Sequence, residues 1–351
     1  MNPKIKRIVI LSCAAIATIC IIRHLNSSDV GSSSKVSYYT IKGGVHGTFY
    51  TIKYSADNGT IDPEELQNRF GEFDHSLSTF DEQSVISRIN RNDSTVVPDS
   101  LFLTVFKRGL EISELTDGAF DMTVAPLVNL WGFGFKKSEN VTDEHVKEIL
   151  EHVGYKKIKL DNGLIVKTDT AIMLDAAAIA KGYSCDVVAD FLKSKGSRNF
   201  MVEIGGEIVT KGVNPEGKTW RIGITKPTDD NSVSDPILQA EAAIGDIGTA
   251  TSGNYRQFYY KDGKRYSHTV DPHTGYPAEQ SLLSATVFAE DCMTADALAT
   301  AFMVMGLEKA ERFVEEQKLP VSAYFIYTDE NDSIRTKKAG PHSDKIIIKE
   351  K

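Results

Sequence analysis

Cysteine is scarce: Cys13, Cys20, Cys185 and Cys292 are the only four in 351 residues, and none forms a CxxC pair. That excludes a disulfide framework and a cysteine-rich zinc site, and it predicts that Cys185 and Cys292 are buried free thiols. Positive charge is also short. Forty Lys and Arg against 48 Asp and Glu leave a net charge of −8, the wrong sign for a nucleic-acid binder. No internal repeat and no long polar tract is present, so neither a solenoid nor a disordered chain fits. Several catalytic signatures are missing too. No GxGxxG, GxSxG or HExxH occurs, which removes the Rossmann, serine-hydrolase and zinc-peptidase readings, and none of the glycine loops taken up below matches GxxxxGK[ST]. The N-terminal apolar run, residues 8–22, is shorter than the roughly 20 residues of a spanning helix.

That run is still informative. Lys4, Lys6 and Arg7 precede it, and Arg23, His24 and a polar stretch follow, which is the pattern of an export signal. Three fates compete: a retained signal anchor with its basic end in the cytoplasm, a lipoprotein signal read at Ile10-Leu11-Ser12-Cys13, and simple cleavage. The anchor is the leading expectation, with the lipoprotein second. Each puts the body outside the cytoplasm. Residues 1–29 are therefore read as signal or anchor, 30–36 as a flexible tether, and 37–351 as one functional domain.

The body is long enough to bury a sizeable core. Strands are expected at 38–41 and 49–54 around a Gly43-Gly44 turn, and at 158–160, 164–167 and 172–174. More follow at 200–204, 207–210, 220–224, 242–247 and 267–270. Helices are expected from Asp62-Pro63 to about Leu77, over 100–116, 142–152, 176–193 and 295–305, and from Glu308 to Gln317. Helices and strands alternate irregularly with several hairpins, so the class is α+β.

Several clusters could carry chemistry. Asp296 and Thr300 stand at i and i+4 on one helical face and offer the hard oxygens that Mg²⁺ takes. Taken alone, a first-turn acid complementing the helix dipole explains Asp296 as well. Asp175 sits where a strand meets a helix, and Lys181 follows six residues on, within reach of a phosphate. A capping Asp and a solvated Lys are the bland account of that pair. His268 stands at the lip of the Asp271–Gly275 turn, a position suited to proton exchange, although a stacked or capped surface histidine beside a hairpin explains it as well. The loops GGVHGT, Gly205-Gly206-Glu207 and ATSGNY could present backbone N–H groups to a phosphate. Asp117-Gly118-Ala119-Phe120-Asp121 leads into Trp131 and Phe133, aromatics that belong in a core or against a planar ring.

Together and in order, these segments resemble the ApbE family, the FAD:protein FMN transferases. The matching text is GGVHGTFY (43–50), DGAFD (117–121) with PLVNLWGFG (126–134), LDAAAIAKGYSCD (174–186), VEIGGEI (202–208), ATSGNY (250–255), YSHTVDPHTGYP (266–277) and MTADALATAFMVMG (293–306). The resemblance implies an α+β fold of antiparallel sheets and packed helices with a T-fold-like duplicated core. It implies Mg²⁺ held by the Ala178 carbonyl and the side chains of Asp296 and Thr300. FAD, the substrate, is implied to contact Ala119, Phe120, Asp121, Asp175, Lys181 and His268. Phe80 stands where the family often has a stacking tyrosine, and His46 where it usually has methionine. Ala176-Ala177 replace a Leu-Gly pair, and Asn254 stands where aspartate is also common. The implied reaction moves FMN from FAD to a Ser or Thr hydroxyl of an acceptor protein and releases AMP. His268 is the candidate base, with Asp175 the competitor. The implied acceptor is a subunit of a membrane-bound redox complex, and no nucleic acid is involved. Mg²⁺-dependent FAD hydrolysis and simple FAD storage are the rival readings.

Overall fold

A computed structural model describes residues 36–56, 59–133, 141–227, 237–254, 258–261, 264–267, 269–278, 281–316, 319–341 and 347–350. The anchor expectation at 1–29, the tether up to residue 35 and the residue His268 lie outside this set. Among the described residues no helix is long and apolar enough to cross a membrane.

The first hairpin pairs β1 (Tyr38–Val45) with β2 (Thr48–Ser55). Its turn is at His46-Gly47, with φ of 49° and 72°, a two-residue turn of left-handed residues. The expected Gly43-Gly44 turn is therefore wrong, because both glycines lie inside β1. The reason at Gly43 is steric: a Cβ there would stand 2.7 Å from the ring of Tyr50, its cross-strand partner.

Caps set most helix starts. Asp62 opens α1 (Pro63–Leu77) by accepting the Glu64 N–H, with Pro63 in the first turn. Ser84 caps α2 (Val85–Asn90), and Asp99 caps α3 (Ser100–Leu115). Next come α4 (Ala125–Leu130) and α5 (Asp143–Leu150), the latter capped by Thr142. A small hairpin, β3 (Ile158–Asp161) with β4 (Leu164–Lys167), turns at Asn162-Gly163. Residues 172–174 are not the expected strand. The Leu174 backbone is satisfied instead by the Asn90 side chain, whose Nδ2 donates to its carbonyl at 2.8 Å and whose Oδ1 accepts its N–H at 2.7 Å. With both groups paired in this way, Leu174 stays buried without a ladder.

The long helix α6 (Ala177–Ser194) leads to β5 (Phe200–Ile204), β6 (Glu207–Lys211), β7 (Trp220–Thr225), β8 (Leu238–Ile244) and β9 (Ile247–Gly253). Gly245-Asp246 splits the expected 242–247 strand in two, and most of the presumed ATSGNY loop is strand β9. A hairpin of β10 (Phe258–Lys261) and β11 (Lys264–Ser267) sets Lys261 opposite Lys264. Of the expected strand 267–270, Ser267 is the last residue of β11 and Val270 forms an isolated bridge to Pro277. Last come β12 (Leu282–Ala289), α7 (Cys292–Met305), α8 (Leu307–Glu316), β13 (Ser322–Thr328), β14 (Ile334–Ala339) and β15 (Ile347–Glu350).

The main sheet has the order β1-β2-β5-β6-β9-β12-β13-β14, and its described pairings are antiparallel. Each half runs as two strands, a long helix and two strands: α6 in the first half, α7 in the second. Helices cover one face, where Tyr50, Ile52, Val202 and Ile204 meet Val188 and Leu192 of α6. The other face packs Phe288, Tyr324 and Ile326 against the sheet β15-β8-β7 through Trp220, Ile222 and Ala242. This is the α+β architecture expected. Cys185 and Cys292 are buried and free, also as expected.

The two long helices cross in close contact at the α7 N-terminus. Asp186 of α6 accepts the N–H groups of Cys292 (2.9 Å) and Met293 (2.8 Å). Burial nevertheless pushes its carboxyl up to about 7, with Asp291 adding to the shift. The folded chain therefore takes up a proton that the unfolded chain, with its ordinary carboxyl near 4, does not hold at pH 5–6. Stability from this group is complete below about pH 4 and is lost as pH rises towards 7. Denaturant titrations should show unfolding free energy falling by about 1 kcal/mol or more across that window. Asp186→Asn should flatten the slope there, and an unchanged slope would reject the assignment.

Candidate active site

A cavity of about 420 Å³ opens where α6 and α7 meet the ends of the main sheet. Several separate segments build its wall. Ala119, Phe120 and Asp121 come from the bend before α4, Asp175 from the approach to α6, and Ala178 and Lys181 from its first turns. Gly205 and Glu207 come from the β5–β6 turn, Ser252 from β9, and Asp296, Thr300 and Val304 from one face of α7.

The i, i+4, i+8 spacing of Asp296, Thr300 and Val304 places all three on that wall. Asp296 is not the first-turn dipole acid of the bland account. The α7 cap is Asp291, which accepts the Thr294 N–H. Asp296 is buried, and its Oδ2 accepts the Gly182 N–H of α6 at 3.0 Å. In a regular helix that N–H also points towards the carbonyl four residues back, that of Ala178, which would set Ala178 O near the Asp296 carboxylate. The other oxygen, Asp296 Oδ1, lies 3.9 Å from Lys181 Nζ. Thr300 Oγ1 is 3.1 Å from Ser252 Oγ. Among the described residues no cluster of three His, Cys, Asp or Glu side chains could hold a metal ion. A carboxylate, a hydroxyl and a carbonyl suit a hard cation that keeps water and ligand oxygens, so the donors fit Mg²⁺ rather than zinc.

Lys181 is paired rather than free, although its side chain is still 35% exposed. It lies 2.7 Å from Glu207 Oε1. Burial alone would lower its pKa, but the Asp296 and Glu207 carboxylates reverse that and hold it above the usual lysine range. Burial raises the carboxyls of Glu207 and Asp296 by more than Lys181 lowers them. The Asp175 carboxyl is also raised by burial, although its Oδ1 accepts the Ala177 N–H at 2.8 Å at the start of α6. Its backbone N–H donates to Met122 O, which joins this segment to the Ala119–Asp121 bend.

Asp121 is fully engaged by the fold. Its Oδ1 accepts the Thr123 N–H and hydroxyl at 2.8 and 2.7 Å, and its Oδ2 accepts the Tyr155 N–H at 2.6 Å. It shapes the bend that presents Ala119 and Phe120.

Eight expected site residues thus line one cavity: Ala119, Phe120, Asp121, Asp175, Ala178, Lys181, Asp296 and Thr300. His46 and Phe80 are not in its lining. His46 Nδ1 lies 2.7 Å from Asp74 Oδ1 and Nε2 lies 2.8 Å from Ser184 Oγ, which ties the first hairpin to α1 and α6. Phe80, just past α1, is 83% exposed. Glu207 was missed by the sequence reading. Its only signal there was the Gly205-Gly206 pair before it, whose φ values of 65° and 108° allow the turn into β6.

Comparisons with known proteins show the family. The profile of the ApbE family matches residues 46–325. The FAD:protein FMN transferase of Vibrio cholerae serotype O1 is 40% identical over 289 residues, 80% of this chain and 85% of the relative. That of Haemophilus influenzae is 37% identical over 307 residues, covering 83% and 87%. Among solved structures, the flavin transferase ApbE from Vibrio cholerae superposes with a TM-score of 0.78 at 37% identity, covering 89% of this chain and all of that one. The apo flavinyl transferase ApbE of Pseudomonas stutzeri gives 0.74 at 32% identity, covering 87% and 95%. With the profile spanning most of the domain, the chain belongs to the ApbE family.

Proposed function

We propose that this chain transfers the FMN half of FAD to a Ser or Thr hydroxyl of an acceptor protein, releasing AMP, with Mg²⁺ as cofactor. The observation that carries the reading is the meeting of Asp296, Thr300, Ala178, Lys181 and Asp175 on one cavity wall, in a chain whose relatives bear that activity's name. Asp296, Thr300 and the Ala178 carbonyl would hold the cation. When bound, Mg²⁺ neutralises charge on the pyrophosphate and favours in-line displacement at phosphorus.

The remaining steps belong to the protein. Lys181 offers its ammonium to a phosphate oxygen. The Ala119–Phe120 bend flanks the dinucleotide, and Phe80 belongs to the same reading as a stacking residue for a planar group. The acceptor oxygen attacks the FMN phosphorus, the bond to the AMP oxygen breaks, and the hydroxyl proton passes to a base. His268 is assigned that role, with Asp175 as the competitor, because burial already raises the Asp175 carboxyl. His46 belongs to the same reading as a contact at the family's methionine position, with its ring oriented by Asp74 and Ser184.

The duplicated T-fold-like core is part of the reading, supported by the matching strand and helix order of the two halves. So is location. The basic residues and apolar run at 1–29 support a membrane-tethered protein facing the outside of the cell, with lipidation at Cys13 as the alternative to a retained anchor. An acceptor subunit of a membrane redox complex fits that place.

Incubation with FAD, Mg²⁺ and a Ser- or Thr-bearing acceptor tests the reading. Flavin covalently attached to the acceptor is the expected product. Free FMN with AMP would mark a pyrophosphatase, and unchanged FAD a storage protein. His268→Ala should slow transfer roughly 100-fold, within the usual range for a lost general base, while FAD still binds. Full transfer by that variant would remove the base assignment.

A further inference from the structure

Lys181 has two carboxylates within reach, and they are not equivalent. Its Nζ lies 2.7 Å from Glu207 Oε1 but 3.9 Å from Asp296 Oδ1. Glu207 is the first residue of β6, with Ile204 of β5 as its cross-strand partner. Its side chain is only 6% exposed, and Oε2 is buried with no hydrogen-bond partner. A carboxylate buried in that way is costly unless a counter-charge is held against it, and Lys181 supplies the charge.

We propose that Glu207 is a positioning residue: it holds the Lys181 ammonium on the β6 side of the cavity, so that Asp296 Oδ1 stays open to a divalent cation. Lysine has a long, flexible stem and a compact charge. Without Glu207 the ammonium would swing the short distance to Asp296 and close a buried ion pair on the oxygen needed for the cation. The inference rests on the cation site proposed above, so its test must separate the two.

Binding of Mn²⁺, a paramagnetic stand-in for Mg²⁺, is measured by electron paramagnetic resonance on the full-length protein in detergent. The proteins compared are the parent chain, Glu207→Gln, Lys181→Met and the double variant. Glu207→Gln should weaken Mn²⁺ binding about tenfold when Lys181 is present and less than about twofold when it is Met, the non-additivity expected of residues that act through one another. Equal losses in both backgrounds would mean that Glu207 acts on the ion directly, and no loss in either would mean that it does not act. Both overturn the proposal. Glu207→Asp keeps the charge but withdraws the oxygen from Nζ. It should also weaken binding, and it serves if the glutamine variant fails to fold; unchanged binding would overturn the proposal. Asp296→Asn marks the underlying reading. If it leaves Mn²⁺ binding intact, the cation site itself is wrong. If it abolishes binding while Glu207→Gln has no effect, only the positioning role fails.

Discussion

Asp296→Asn is expected to lower FMN transfer roughly 1000-fold and to leave the fold intact. The magnitude follows from the several kcal/mol that a bound cation contributes to a phosphoryl-transfer transition state, each 1.4 kcal/mol being about tenfold in rate. Asparagine keeps an acceptor for the Gly182 N–H, so the contact between α6 and α7 survives. It also removes a carboxyl whose ionised form burial disfavours. Thermal stability without cation should therefore be unchanged or higher, as expected where a buried charge serves function rather than folding. Loss of transfer with retained stability is the signature to measure. Transfer at the parent rate in saturating Mg²⁺ would remove Asp296 from the site.

Gly182→Ala should be strongly disruptive. A Cβ at Gly182 would lie 2.3 Å from the Cys292 carbonyl oxygen, 2.7 Å from its carbonyl carbon and 2.8 Å from Asp296 Cβ. Two of those atoms are α7 backbone, so no side chain can turn aside and the helices must separate. Overpacking of that kind costs about 3 kcal/mol, the upper end of its usual range. It also moves Asp296 away from Ala178, so cation binding should weaken along with stability. Gly71→Ala is the control. That glycine is in α1 with nothing within 4 Å of its Cβ position, and the added methyl should stabilise by roughly 0.5–1 kcal/mol. Denaturant midpoints of the two variants moving in the same direction would contradict the close-crossing account.

Helix boundaries were legible because caps are local. Asp62-Pro63, Thr142 and Gly306 mark ends that the structure keeps. Strand reading was weaker, and it failed most in the second half of the main sheet. β12 and β13 were not expected, because their runs are buried on both faces and lack the alternation that marks a half-exposed strand. The Gly43-Gly44 error has a related cause. A glycine pair signals a turn locally, but this one makes room for the Tyr50 ring across the strand.

At the site, the residue types and their order were readable from the chain, and with them the family, the α+β class and the Asp296–Thr300 spacing. Their meeting was not. Ala119, the Asp175–Lys181 stretch and Asp296 come from segments far apart in sequence, and only the packing of α6 against α7 and the sheet brings them to one wall. The partners were decided there too. The Lys181–Glu207 pair, the Gly182–Asp296 bond and the engagement of Asp121 with Thr123 and Tyr155 depend on distances of a few ångströms set by tertiary contacts. Sequence alone carries which groups are available and which local turns or caps they favour. Which charge faces which, and how far burial shifts it, follows from desolvation and close packing, which exist only once the chain has folded.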